Sequence, residues 1–153
     1  MLDVVTIVRP DTPPEWLDKC RRSVSEAARC AQFAVQIIEV PSVPGHIGRA
    51  QLNALQFTSM PYVVFVDDDD FVLPRAFACL APHFGGMPKA ICAREIQLGA
   101  RGQRVPQSRR HHLTAWRREV LESWQPEMAN CVAGLTSTRS AQALWRDGAA
   151  PEV

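Results

Sequence analysis

The amino-acid sequence predicts an α/β fold with a mostly parallel central sheet flanked by helices. Three observations carry that expectation. Strand-like segments rich in β-branched residues recur at 4–8, 35–40 and 62–66, the first reading as a buried strand and the last as a strand buried on both faces. Helical patterns separate them, and strand, helix, strand, helix, strand within about 80 residues implies parallel pairing through right-handed crossovers. Finally, the run Tyr62-Val63-Val64-Phe65-Val66 is followed at once by Asp67, Asp68, Asp69 and Asp70. In an open parallel sheet, ligands bind beyond the carboxyl ends of the strands.

Each element has a local reason. After the first strand, Thr12-Pro13-Pro14-Glu15 reads as a helix start, with a hydroxyl cap, proline at the first position and a capping-box glutamate. Trp16, Cys20, Val24, Ala27 and Ala31 then fall on one face. The second strand ends at Glu39 and Pro41, and a Pro-Gly loop containing His46 leads to Gly48. A helix from there to about Thr58 sets Arg49 and Asn53 four residues apart on one side. A further helix is expected over residues 74–80, and a short strand over 90–93. Residues 99–110 read as a basic irregular loop, and Leu113, Trp116, Val120, Leu121 and Trp124 as an amphipathic helix. A strand over 131–135 and a helix over 140–145, stopped by Gly148, close the pattern. Trp16, Trp116 and Trp124 are most simply core residues.

With 153 residues, 46% of them hydrophobic and 22% charged, one soluble globular domain is expected. A net charge of +1 gives no bulk-electrostatic case for nucleic-acid binding. Cys20, Cys30, Cys79, Cys92 and Cys131 form no CxxC pair and read as reduced packing residues of a cytoplasmic protein. No signal peptide is evident, and no apolar stretch approaches the ~20 residues that cross a bilayer.

The four carboxylates carry the chemistry. Crowded like charges are unfavourable unless a cation neutralises them or some turn to water. A solvated acidic loop is the plain alternative, but placement at the end of a buried strand favours a metal–diphosphate site. Mn²⁺ or Mg²⁺ suits such ligands, Mg²⁺ typically taking one or two carboxylates together with substrate phosphates.

Taken together, these motifs resemble the family 2 glycosyltransferases of GT-A fold. That family opens with a strand ending in proline and a helix E-x-L-x-x-C-x-x-S, matched by Val4-Val-Thr-Ile-Val-Arg-Pro10 and Glu15-Trp-Leu-Asp-Lys-Cys-Arg-Arg-Ser23. It continues with Gly48-Arg49-Ala-Gln-Leu-Asn53, then the apolar strand, a D-x-D-D pattern at residues 67–70 and Pro74. The match covers about residues 3–84.

The resemblance implies a single domain over 1–153, with residues 1–84 binding the nucleotide and 85–153 forming a reduced acceptor side. It implies UDP or a UDP-sugar as ligand. Asp67 and Asp69 would be the D-x-D pair holding the metal, with Asp67 and Asp68 facing ribose or base and Asp70 in support. Glu39 would accept the uracil N3–H, and Arg49, at its helix start, would meet base or phosphates with Asn53 beside it. Val8, Arg9 and Pro10 would lie against the base. His111 and His112 read as solvent-facing rather than as metal ligands.

Three departures stand out. Pro10 is followed by Asp11-Thr12 and not by a tyrosine and asparagine that would stack the base. Asn53 is not directly preceded by arginine. No glutamate–aspartate pair that would supply the general base of inverting transfer occurs among Glu95, Glu119, Glu122, Glu127, Asp147 and Glu152. The catalytic residues, acceptor and any homo-oligomer therefore stay open, and so do two functions: sugar transfer, or a nucleotide-diphosphate-binding module without catalysis. A nucleotidyl transferase would need a phosphate-cradling Gly-rich loop after the first strand, and Arg9-Pro10-Asp11-Thr12 is not one.

Overall fold

A computed structural model describes residues 1–93, 97–98, 104–105 and 113–129. Its main sheet has five strands in the order β2-β1-β3-β7-β4. β1 (Leu2–Val8), β2 (Val35–Pro41) and β3 (Tyr62–Asp67) are parallel, and β7 (Thr114–Arg117) runs antiparallel to both β3 and β4 (Ala90–Cys92). In a separate two-stranded ladder, β5 (Gln97–Leu98) pairs with β6 (Arg104–Val105), and β6 falls within the stretch 99–110 expected to be irregular.

The central strands β1 and β3 are buried on both faces, which is why they read as continuous apolar runs, whereas the edge strand β2 leaves Gln36, Ile37 and Glu39 exposed. On one face Leu2, Val4, Tyr62, Val64 and Val66 pack with Cys20, Val24 and Ala27 of α1 (Pro14–Cys30). On the other, Val5, Ile38, Val40 and Val63 pack with Ala54 and Leu55 of α2 (Ile47–Leu55) and with Trp116, Leu121 and Met128. Leu121 belongs to α3 (Arg118–Ser123) and Met128 to α4 (Gln125–Ala129).

Four expectations are corrected. No side chain caps α1: Pro13 takes the cap position, and the Thr12 hydroxyl is drawn instead to Asp68. Trp16 is 52% exposed, whereas Trp116 is 2% exposed with Trp124 against it at 5.6 Å between ring centroids. Residues 74–80 hold turns that run into a 3-10 helix (Ala78–Gly86); Pro82 lacks the N–H that an α-helix there would need. Thr114, Ala115, Trp116 and Arg117 form a strand, because β3 and β4 both offer an edge to pair with, and helix begins only at Arg118. The strand over 131–135 and the helix over 140–145 lie outside the described residues.

Register decides what meets at the carboxyl edge. Ile7 is opposite Asp67 and Val8 opposite Pro41, so β1, β2 and β3 all end on one level. The segments after them, including the first turns of α1 and α2, therefore start from that edge. Gly45 (φ 70°) provides the left-handed turn in the β2–α2 connection.

Candidate functional site

The aspartate run does not behave as four equivalent charges. Asp68 is 1% exposed and takes the part of an anchor. Its Oδ2 accepts the Arg9 backbone N–H at 2.7 Å and the Thr12 hydroxyl. Its Oδ1 accepts Arg9 Nε at 3.0 Å and Nη2 at 2.7 Å. Burial by itself would push this carboxyl up, but the Arg9 backbone N–H, the Thr12 hydroxyl and the guanidinium together outweigh it and hold it below its ordinary value. Reciprocally, the hydrogen bonds to Asp68 and Asp69 push the Arg9 guanidinium above its ordinary value.

Asp67 and Asp69 alternate with that buried group and are exposed at the strand end. Asp69 Oδ2 lies 2.8 Å from Arg9 Nη2. One nitrogen thus bridges a buried carboxylate and an exposed one.

α1 braces this loop from below. The Cys20 thiol lies 3.5 Å from the Asp67 carbonyl oxygen, and Ser23 Oγ accepts the Val72 N–H at 3.0 Å while donating to Cys20 O at 2.8 Å. Lys19 Nζ sits 4.1 Å above the Phe71 ring centroid. The Cys and Ser of the helix motif therefore hold the aspartate turn in place. Burial pushes the Cys20 thiol up to about 11, which keeps it a neutral packing group.

The remaining expected site residues are placed as follows. Val8 ends β1, its carbonyl accepting the Ser42 N–H at 2.9 Å, and Pro10 is exposed beyond it. The Arg9 side chain turns onto Asp68 and Asp69, just past the end of β3. Glu39 lies opposite Thr6, on the α1 face, and its carboxylate takes a two-point contact from Arg21 Nε (2.8 Å) and Nη2 (2.7 Å). That pairing lowers its pKa, with burial acting in the opposite sense. Arg49 and Asn53 share the exposed face of α2, and Arg49 Nε donates to Ala129 O at 3.3 Å, at the end of α4. His46 Nδ1, at the start of α2, is buried and has no hydrogen-bond partner among the described residues. Thr12, Ser23 and Arg21 hold the candidate site residues in place and were not singled out as part of the site in the sequence. For Ser23 the motif spacing was the available signal; Thr12 was hidden by its resemblance to a helix cap.

Glu119 and Glu122 stand elsewhere. β7 runs away from the carboxyl edge and Arg117 ends opposite Tyr62, so α3 begins at the far edge. There Glu119 pairs with Arg117, and Glu122 with Arg118 at 2.9 Å. Glu95, His111, His112 and the Glu127 side chain lie outside the described residues.

The donor set fits a hard divalent ion that draws most of its shell from other sources. Asp67 and Asp69 offer two exposed carboxylates, while Asp68 is fully occupied by Arg9 and Thr12. Among the described residues no group of three or more His, Cys, Asp or Glu is arranged to hold a metal. The two carboxylates match the one or two that Mg²⁺ takes when phosphates and water complete its coordination.

Solved structures with this architecture include S. aureus TarS 1-349 in complex with UDP (TM-score 0.61, 12% identity, covering 99% of this chain and 60% of that one). The same protein in complex with UDP-GlcNAc gives 0.58 at 14% identity, covering 80% and 46%. A CMP:2-keto-3-deoxy-manno-octonic acid synthetase complexed with CTP gives 0.59 at 12% identity, covering 99% and 89%. The chain has the GT-A fold. It spans 29–60% of the TarS chains it matches. No protein-family model and no curated protein sequence matches it. Among the described residues, no helix is long and apolar enough to cross a membrane.

Proposed function

We propose that this chain binds UDP or a UDP-sugar together with Mn²⁺ or Mg²⁺ at the carboxyl edge of β1, β2 and β3. In this reading it is a family 2-like glycosyltransferase domain, with residues 1–84 forming the nucleotide side and 85–153 a reduced acceptor side. One observation carries the reading. Asp68 is buried and saturated by the β1–α1 segment, which leaves Asp67 and Asp69 exposed as an alternating pair at the strand end. Such a pair, at the edge from which α1 and α2 start, with Arg49 in the first turn of α2, suits a cation-bridged diphosphate. When bound, the ion would supply charge neutralisation on the departing diphosphate. Asp67 and Asp69 would hold it, and Arg49 and Arg9 would offset phosphate charge. Val8 and Pro10 would border the base, and Glu39 would meet it only by sharing an oxygen now held by Arg21. Asn53 would support Arg49 from the next turn.

The relation of Glu119 and Glu122 to the sheet favours a second reading, a nucleotide-diphosphate-binding module without transfer. Both stand at the edge opposite the aspartates.

Calorimetric titration with UDP, CDP, ADP and GDP, each with Mn²⁺, Mg²⁺ or EDTA, tests the binding proposal. UDP with metal should bind, the other bases more weakly, and EDTA should abolish the difference. Indifference to base and metal would overturn it.

A further inference from the structure

We propose that Arg9 is a built-in counter-cation which occupies Asp69 until a diphosphate replaces it, so that the site selects a metal–diphosphate complex over the free metal ion. The inference rests on the metal–diphosphate reading above and deepens it.

The geometry fixes the guanidinium from one side. Nε and Nη2 both bond Asp68 Oδ1, and the Arg9 backbone N–H bonds Asp68 Oδ2, so the fork is anchored on a buried carboxylate that cannot follow it elsewhere. From that anchor Nη2 also reaches Asp69 Oδ2 at 2.8 Å. A planar guanidinium presents its donors in a fixed array, so this second contact follows from the first. Asp69 is thereby neutralised by the protein itself.

An ion coming alone to Asp69 must share or displace Nη2, and the N–H that Asp69 gives up then exchanges an anionic acceptor for water. A diphosphate changes that balance, because its anionic oxygens accept from a guanidinium at least as well as a carboxylate does. Arg9 can hold Asp68 with Nε and offer its outer nitrogens to phosphate while Asp69 turns to the ion. Metal and diphosphate therefore help each other through one residue, and by linkage the help is mutual. The half-exposed side chains of Arg9 (47%) and Asp69 (36%) allow this exchange without opening the core.

The test compares the parent chain with Arg9→Gln and Arg9→Lys, all monitored for cooperative melting. Mn²⁺ alone is titrated by electron paramagnetic resonance, and UDP is titrated with and without Mn²⁺. Removing the counter-cation in Arg9→Gln should tighten Mn²⁺ binding in the absence of nucleotide roughly five- to tenfold. The same change should reduce the factor by which Mn²⁺ and UDP enhance each other. Arg9→Lys, which keeps charge but loses the two-carboxylate fork, should lie between. If Arg9→Gln fails to melt cooperatively, the Mn²⁺ titration of Arg9→Lys decides in the same direction. Unchanged or weaker Mn²⁺ binding in the folded variant overturns the inference. Failure of UDP to bind any of the chains would overturn the nucleotide reading instead, and the Mn²⁺-only arm would still judge Arg9.

Discussion

The buried carboxylate of Asp68 ties two chain segments together by accepting the Arg9 backbone N–H at 2.7 Å and the guanidinium at 3.0 and 2.7 Å. It is the one member of the aspartate run that is 1% exposed, so its contribution is to architecture before it is to ligand binding. Asp68→Ala would leave the Arg9 N–H and the Thr12 hydroxyl without their acceptor. Hydrogen bonds to a charged group typically contribute about 1.5–3 kcal/mol, and the half-exposed guanidinium places the loss toward the lower end, about 2 kcal/mol. Asp69→Ala removes only an exposed ion pair and should change stability by about 0–1 kcal/mol. Urea denaturation of the two variants separates these roles, and equal losses would contradict them. Nucleotide binding with Mn²⁺ should show the reverse order of directness, Asp69→Ala losing it while remaining folded.

Acid should find the same anchor. The folded-state pKa of Asp68 is depressed, so its stabilising contribution is fully present above the unfolded value of about 4 and is lost as pH falls through the folded value. Glu39, held down by Arg21, acts in the same sense, but as a partly exposed pair it adds less. Unfolding free energies measured from pH 6 downward should therefore fall below about pH 4, and more gently in Asp68→Asn than in the parent. Parallel curves for the two would show that another carboxylate governs acid unfolding.

The two tryptophans that looked alike as core candidates should behave differently. Trp116 is buried against Trp124, and Trp116→Ala should cost about 3–5 kcal/mol, as large-to-small core substitutions do. Trp16→Ala, at an exposed site, should lie within about 0.5 kcal/mol of the parent. Thermal unfolding of both variants checks the contrast.

The cysteines divide in the same way. Cys20 and Cys92 are buried, whereas Cys30 and Cys79 are exposed. Iodoacetamide at pH 8 followed by peptide mapping should label Cys30 and Cys79 in the folded protein. Cys20, with its thiol pushed up to about 11, should be labelled only after denaturation, and so should Cys92. Rapid native labelling of Cys20 would mean that α1 does not stay seated on the aspartate turn.

How legible this architecture was depended on whether local pattern and tertiary pairing agreed. β1, β3 and α1 were readable because burial of both strand faces leaves continuous apolar runs, and because Cys20, Val24 and Ala27 keep helical spacing. The aspartate run falls at the carboxyl end of β3, as its sequence position implied, but sequence could not say that Asp68 is buried while Asp67 and Asp69 are exposed. Thr12 satisfied a helix-cap pattern and was taken by a stronger acceptor from another strand. Trp116 and Val120 satisfied a helical period, yet the edges of β3 and β4 bound residues 114–117 as a strand. Glu39 looked like a free acid at a strand end, and only the fold brings Arg21 across to it.

The acceptor side yields the last expectation. An inverting transfer needs a base within about 2.6–3.2 Å of the acceptor hydroxyl, and a positioned base typically contributes about 10²–10⁴-fold in rate. Glu119 and Glu122 stand at the edge of the sheet opposite the aspartates and are paired there with Arg117 and Arg118, so neither can reach a sugar held at the carboxyl edge. Arg9 and Arg49 are cations and cannot take the proton. Glu127 belongs to α4, whose end meets Arg49 through Ala129, while the Glu127 side chain and Glu95 lie outside the described residues. This chain alone should therefore bind UDP and metal while transferring sugar to acceptors below detection. The measurement is an acceptor screen with several UDP-sugars, run beside UDP calorimetry on the same preparation. Turnover by the isolated chain that disappears in Glu127→Gln or Glu95→Gln, with UDP affinity unchanged, would identify the base and turn the binding module into a complete transferase.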